Sequence, residues 1–434
     1  MVKLLILSDD FTGALDTGVQ FAKKGIATTV THDTEICFDS IPKDVSVIVV
    51  DAESRHMSGE DAGKRVYDIA KRAYESGIRY VYKKTDSGLR GNIGAELSAT
   101  AKAWHTGICF APAFPKNGRT TKDGVHMLDG VPIHKTVFGD DPFDPVKESY
   151  IPAIIGEQSG IETKCHSNSE KGIRPTQNRI DVFDAETDEE LRRIAKASAS
   201  FTAFSGCAGF AEFLTEMIEF PRSADMIDKI GEKLFVISGS LNDITKKQIE
   251  NAKAVADVEA GLEDRQLFDP GYMDGDEGQS FIDSKTGVDI ALIYAKAADE
   301  AGEFERRVAD GDKWSVVSGN LGKMAARVLN TTDAGTTLVV FGGDTLFSTL
   351  NQVKGSIRPC TEIMPGVVIG QLDMAGSFRY IVTKSGGFGP PDVIERIKKY
   401  ILATNVRGGM KNGNDLKTAG AGGAAEDGGN KAEV

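Results

Sequence analysis

The chain has 434 residues and a mass of 46.5 kDa, too long for one average domain, so two or three are expected. A hydrophobic content of 40% supports real cores. A formal net charge of -13 and a pI near 5.1 exclude general polyanion binding, so no nucleic-acid partner is expected, yet a small anion held by local Arg and Lys stays open. The five cysteines, Cys37, Cys109, Cys165, Cys207 and Cys360, are scattered and form no CxxC, which argues against a disulfide framework or a structural zinc site. The opening residues fit no signal peptide or membrane span, so a cytoplasmic protein without a membrane partner is expected.

The first element is an apolar run, Leu4-Leu5-Ile6-Leu7, read as a buried strand. It runs into Ser8-Asp9-Asp10-Phe11-Thr12-Gly13 and then a helical pattern through Phe21. One Asp can cap that helix. In an open α/β sheet the carboxyl ends of strands line the ligand crevice, so two adjacent carboxylates there suggest a site. Further strands are predicted at 45–50, 78–82 and 107–110, and the spacing of Ala62, Val66, Ile69, Ala70 and Ala73 predicts a helix over 59–76. Each strand is followed by a polar cluster: Asp9/Asp10, Asp51/Arg55, Lys84/Asp86/Arg90, and Lys116/Arg119. Carboxylates accept hydrogen bonds from hydroxyls and arginine offers a planar fork to a carboxylate, so a crevice holding both suits a small polyhydroxy acid. Salt-bridged surface turns are the plainer alternative.

The Gly88-x-x-Gly91-x-x-Gly94 run is not a dinucleotide fingerprint. Residues 112–145 form a segment longer than an ordinary connection, expected to be an ordered excursion with a rigid corner at Pro142 and Pro145. Its His126, Asp129, His134 and Asp140 match no standard metal spacing. Thr187 and Glu190 predict a capping box. Cys207, beside Gly206, reads as a small buried residue.

A charged stretch, 221–232, is taken as a linker between a domain over 1–220 and one over 233–402; residues 403–434 read as a disordered tail, Gly- and Ala-rich from 407 onward. In the second domain three apolar strands run into small residues: Ser238-Gly239-Ser240, Gly342-Gly343-Asp344-Thr345, and Lys384-Ser385-Gly386. Glycine lets amides crowd a polyphosphate, and a following helix offers its positive end. Asp344 is a candidate Mg2+ ligand and Lys384 a phosphate partner. Residues 314–320 (aromatic-x-Val-x-Ser-Gly) echo the same strand–turn pattern, or match it by chance. Strands alternating with helices predict two α/β domains with mostly parallel sheets and an interdomain cleft.

Together these stretches resemble the four-carbon acid sugar kinases. The similarity rests on Ser8–Ala14, 51–56, Lys84-Thr85-Asp86-Ser87-Gly88-Leu89-Arg90-Gly91-Asn92, 111–120, Gly342–Thr345 and 384–386. It implies an N-terminal domain for the sugar acid and a C-terminal domain for ATP, with Ser240, Gly342, Gly343, Asp344, Thr345 and Gly386 at the nucleotide. It further implies phosphorylation of the terminal hydroxyl of threonate, erythronate or a 3-oxo form. The chain departs from the family pattern at Leu241-Asn242-Asp243, at Cys207, and at Gly88, where Thr is common. On this basis Arg55, Arg90 or Arg119 meets the acid's carboxylate, with Lys84 beside them. Asp9, Asp10 and Asp86 order its hydroxyls, and Asp10, then Asp86, is the candidate base. ATP and Mg2+ are the implied co-reactants, with a homodimer the assembly considered. A kinase of another hydroxy acid and a non-catalytic sugar-acid sensor stay open.

Overall fold

The structure is a computed structural model. It describes residues 1–141, 144–167, 170, 172–222, 227, 229–296, 311–374 and 376–418. The predicted corner at Pro142, residues 223–226 and 228 of the predicted linker, and residues 419–434 of the predicted tail lie outside the described residues.

The N-terminal domain alternates β1 (Leu4–Ser8), α1 (Phe11–Ala22), β2 (Thr28–Thr31), β3 (Val47–Asp51), α2 (Gly59–Glu75), β4 (Tyr80–Lys84), α3 (Ile93–Trp104) and β5 (Ile108–Ala111). The excursion that follows is ordered, as expected: β6 (Arg119–Lys122), β7 (Val125–Leu128) and β8 (Val131–Pro132) form a small antiparallel sheet. The domain closes with α4 (Ile151–Ser159), β9 (Glu162–His166), β10 (Arg179–Phe183), α5 (Asp188–Ala197), β11 (Ala203–Gly206) and α6 (Ala208–Met217). The predicted Thr187–Glu190 capping box starts α5.

The C-terminal domain runs β12 (Lys233–Ser238), α7 (Asp243–Lys253), β13 (Val258–Leu262), α8 (Asp264–Phe268), α9 (Asp276–Asp283), β14 (Ile290–Ala295), α10 (Gly311–Thr331), β15 (Thr336–Phe341), α11 (Gly343–Val353), β16 (Ser356–Met364), β17 (Val367–Met374), β18 (Ser377–Lys384) and α12 (Val393–Thr418). The fold is thus two α/β domains with mostly parallel strands. Two readings change. Residues 314–320 are not a strand: they lie inside α10, where Val317, Leu321, Met324, Ala325 and Val328 are buried at helical spacing. And α12 continues to Thr418, past residue 402 where the ordered domain was expected to end.

Strand order explains why β1 and β12 matter. In the N-terminal domain the order is β2-β3-β1-β4-β11-β5-β10-β9, all parallel; in the C-terminal domain it is β13-β14-β12-β15-β18, again parallel, then antiparallel β17 and β16. Each domain's first strand has its successors on both sides. Its carboxyl end is a topological switch point, where flanking connections diverge and leave a crevice. The two sheets join edge to edge through Val30 of β2 and Ile357 of β16. Helix α1 is buried between the domains, and Gly18 lets it approach β2 and β3: an added Cβ would lie 3.1 Å from Val30 and 3.3 Å from Val49. Among the described residues no helix is long and apolar enough to cross a membrane.

Under the N-terminal switch point lies a buried ion pair. Lys83 Nζ is 2.6 Å from Glu96 Oε2, and both side chains are essentially without solvent exposure. Ser54 donates to Glu96 Oε1 at 2.6 Å and Lys83 Nζ donates to the Lys84 carbonyl at 2.6 Å. The pair therefore fastens β4 and α3 to the loop carrying Arg55. Removing one partner strands the other charge, which typically costs about 3–5 kcal/mol, whereas replacing both by apolar groups is often near neutral. Glu96→Ala is expected to lower the denaturation midpoint sharply and the Lys83→Met/Glu96→Leu double variant to recover most of it, read by urea unfolding.

Candidate functional site

Asp10 ends the turn after β1 as the N-cap of α1: its backbone is extended and its Oδ1 accepts the Gly13 amide at 2.9 Å. Gly13 is required by space. A Cβ there would sit 2.5 Å from Asp10 Oδ1 and 2.6 Å from Lys84 Nζ. Arg55, from the loop after β3, lies across the strand ends. Its Nε is 2.7 Å from Asp9 Oδ2, its Nη1 2.9 Å from Asp10 Oδ2, and its Nη2 3.6 Å from Asp86 Oδ1. Asn92 fixes that loop by donating to the carbonyls of Ser54 and Met57, both at 3.0 Å. Arg90 grips Asp86 with two bonds, Nε to Oδ2 and Nη2 to Oδ1, each 3.0 Å, and its Nη1 meets Asp141 at 2.8 Å.

The predicted residues do come together, with different engagements. Burial alone would raise the Asp86 carboxyl, but Arg90 and Arg55 outweigh it and hold the group far below the ordinary carboxylate range. Burial likewise opposes ionisation of Asp9, and Arg55, Lys84 and Lys83 still hold it below its ordinary value. Asp9 is buried behind Arg55 rather than on the main cleft. Lys84 is also buried; burial lowers its ammonium, but Asp9, Asp10 and Asp86 together keep it raised. Arg119, at the start of β6, stacks with Arg90 on the Phe138 ring, at 5.6 and 5.3 Å from its centroid. Its Nε is buried without a hydrogen-bond partner. Phe138 also accounts for Gly88, since a Cβ there would lie 2.2 Å from the ring. Lys116, expected beside Arg119, turns away to Glu212 and Asp188, at 3.0 and 3.3 Å.

Asp51 is fully buried at the end of β3, its Oδ1 accepting the Glu53 amide at 2.9 Å and its Oδ2 without a partner. His126 places its ring nitrogens 3.0 Å from Thr121 Oγ1 and from the Ser87 carbonyl, and burial pushes it down to about 4. Among the described residues no group of three His, Cys, Asp or Glu side chains could hold a metal.

The three turns of the C-terminal domain also meet. The Gly239 amide donates to the Phe341 carbonyl and the Gly342 amide to the Lys384 carbonyl, both at 3.1 Å. Gly342 has φ 110°, a conformation that strains any side chain. Gly386 faces Ser240, whose Oγ lies 2.9 Å from where a Cβ would be. Thr345 is buried beneath Gly239. Leu241-Asn242-Asp243 does not spoil the turn, because Asn242 caps α7 by accepting the Ile244 amide at 3.0 Å. Asp344 Oδ2 accepts from Trp314 Nε1 at 3.0 Å, leaving its other oxygen. Lys384 is buried, and its Nζ donates to Thr245 Oγ1 and to the carbonyls of Ser385 and Gly386 at 3.1, 2.8 and 3.0 Å. It supports the turn from beneath rather than reaching outward.

One cleft of about 670 Å3 joins the two halves. Asp10, Lys84, Asp86 and Arg119 line it from the N-terminal domain, Asn242 and Gly386 from the other. Fold and site define a two-domain α/β protein whose two switch points face a shared polar cleft.

Comparison with known proteins agrees. Residues 4–214 match the model of a sugar-binding N-terminal domain, and residues 235–394 that of a nucleotide-binding C-terminal domain. The chain belongs to the sugar-acid kinase family in which these two domains are joined. It is 34% identical over 266 residues to the D-threonate kinase of Salmonella typhimurium, an alignment taking in 58% of this chain and 61% of that one. It is 29% identical to the D-threonate kinase of Bordetella bronchiseptica over 91% of this chain and 96% of that one. With the D-erythronate kinase of Heliobacterium modesticaldum it shares 26% identity over 93% and 98%. Crystal structures of a Haemophilus influenzae protein and of a Salmonella typhimurium protein described as a putative tRNA synthase share the fold, with TM-scores of 0.69 and 0.75. Both are 20% identical; they cover 92% of this chain and 100% and 99% of their own.

Burial raises the Asp51 carboxyl well above its ordinary value, with Asp10, Glu53 and Asp9 adding to the effect and only the Glu53 amide opposing it. The folded state then keeps a proton that the unfolded chain releases. Its stabilising contribution is complete below the ordinary carboxylate pKa and is lost as pH rises toward the folded value. Asp51→Asn removes that loss while keeping the acceptor for Glu53. Its melting temperature relative to the parent is expected to climb from about pH 5 to about pH 8; a constant difference would reject the assignment.

Proposed function

We propose that the chain is an ATP-dependent kinase that phosphorylates the terminal hydroxyl of a four-carbon sugar acid: threonate, erythronate or 3-oxo-tetronate. The observation that carries this reading is the shared cleft, cationic and carboxylate-lined on one wall and built from glycine and serine turns on the other. The names of the relatives support it. Arg119, with a spare buried donor, and Lys84 take the acid's carboxylate. Arg55 and Arg90, already committed to Asp9, Asp10 and Asp86, hold the carboxylates that order the hydroxyls. ATP lies along the turns at Ser240, Gly342–Thr345 and 384–386, whose amides and helix ends suit phosphate. Mg2+ typically binds through one or two carboxylates plus substrate phosphates, and Asp344, with one oxygen left, fits that need. It would neutralise phosphate charge there. A cleft between two domains also excludes water from the transferred group.

A coupled ADP-release screen over three- to six-carbon sugar acids, with and without Mg2+, tests this reading. Turnover confined to four-carbon acids is expected. Binding of an acid without turnover would overturn the kinase reading, and turnover only on other acids would overturn the substrate class.

Two variants separate the walls of the cleft. Arg119→Met is expected to raise KM for the acid about 10- to 100-fold, the weight of one charge-assisted hydrogen bond, with the KM for ATP unchanged. Lys384→Met removes three bonds beneath the Gly386 turn and is expected to raise the KM for ATP by about the same factor, leaving that for the acid alone.

A further inference from the structure

We propose that Asp16, six residues beyond the cap of α1, is the carboxylate that takes the proton from the attacking hydroxyl. This inference rests on the kinase reading above and assigns a residue within it. Helix spacing places Thr12 and Asp16 on one face of α1. That face is turned to the C-terminal domain: a Cβ on Gly343 would lie 2.3 Å from Thr12 Oγ1. A second, smaller cavity runs under the turns after β15 and β18, lined by Gly342, Gly343 and Lys384. Thr12, Asp16 and Ser385 line both this cavity and the main cleft. Asp16 therefore stands where the sugar-acid site gives way to the phosphate turns. A group that deprotonates a hydroxyl attacking a terminal phosphate has to stand there.

The three carboxylates at the ends of β1 and β4 are already engaged. Asp10 has Oδ1 on the Gly13 amide and Oδ2 on Arg55. Asp86 has both oxygens on Arg90 and is held far below the ordinary range, which makes it a poor proton acceptor. Asp9 lies behind Arg55. Among the described residues, the Asp16 side chain has no hydrogen bond or ion pair within contact distance. Burial pushes its carboxyl up to about 7; Lys84 opposes the shift, while Glu362 and Asp10 add to it. Lys384, tied to its own turn, lines the same small cavity. A base poised near the working pH is the efficient choice.

In the step, the hydroxyl oxygen bonds to the γ-phosphorus as its proton passes to Asp16. The bond from that phosphorus to the β–γ bridging oxygen breaks, its electron pair leaves with ADP, and Asp16 then yields the proton to water.

The test compares Asp16→Asn, Asp16→Glu and Asp10→Asn with the parent chain in steady-state kinetics across pH, with ATP binding by calorimetry. Asp16→Asn is expected to lower kcat by about a hundred- to ten-thousandfold with ATP affinity unchanged, and Asp16→Glu to recover part of it. The parent's kcat is expected to rise with pH through about 7, and this limb to vanish in Asp16→Asn. Asp10→Asn is expected to act mainly on KM for the acid. A kcat within tenfold of the parent for Asp16→Asn, or a limb that persists in it, would overturn the assignment, as would a parent profile without that limb should the variant not fold. Absence of turnover by the parent on every acid would instead overturn the kinase reading, and this assignment with it.

Discussion

The site depends on one guanidinium. Arg55 draws together carboxylates from the ends of two neighbouring strands, Asp9 and Asp10 after β1 and Asp86 after β4, and is itself almost out of solvent. Three anions at this spacing would repel one another and burial would drive them toward their neutral forms. Arg55, with Arg90 and Lys84, reverses that tendency for Asp9 and Asp86. The strand ends can then stay charged and closely packed. The loop that carries Arg55 is in turn held by Asn92 and by the buried Lys83–Glu96 pair through Ser54.

This arrangement separates two kinds of cation. Arg55 and Arg90 are saturated by protein carboxylates and serve as structure. Lys84 and Arg119 face the cleft with less of their hydrogen-bonding capacity used, and Arg119 keeps a buried donor unpaired. A free carboxylate entering the cleft would find its partners in the second pair, because displacing an internal carboxylate from the first would leave a buried charge uncompensated.

The two domains are coupled by more than proximity. The sheets are continuous across β2 and β16, and α1 carries the N-terminal switch point at one end and packs its first turn, at Thr12, against Gly343 of the other domain. The helix that begins with the capping Asp10 therefore also sets the distance between the carboxylates after β1 and β4 and the glycine turns after β15 and β18.

Much of this was legible in the chain. The apolar run of β1, the polar residues following each strand and the three Ser/Gly turns were readable because they follow short buried strands whose pattern is local. The capping box at Thr187 and Glu190 was readable for the same reason. Residues 314–320 misled because a seven-residue window of mixed small and apolar residues fits either period; the helical spacing emerges only over Val317 to Val328. The antiparallel β16 was missed because it is only partly buried along most of its length and breaks its register at Pro359.

By itself the sequence determined the two α/β domains and the residues at each switch point, because strand and helix periods and glycine turns are local properties of the chain; the family showed in the resemblance of whole motifs. Only the tertiary structure decided how those residues divide the work. Which arginine is ion-paired and which keeps an unpaired donor depends on carboxylates arriving from other strands. That Asp16 lies between the two cavities depends on how closely the second domain approaches α1, a distance that no local pattern encodes.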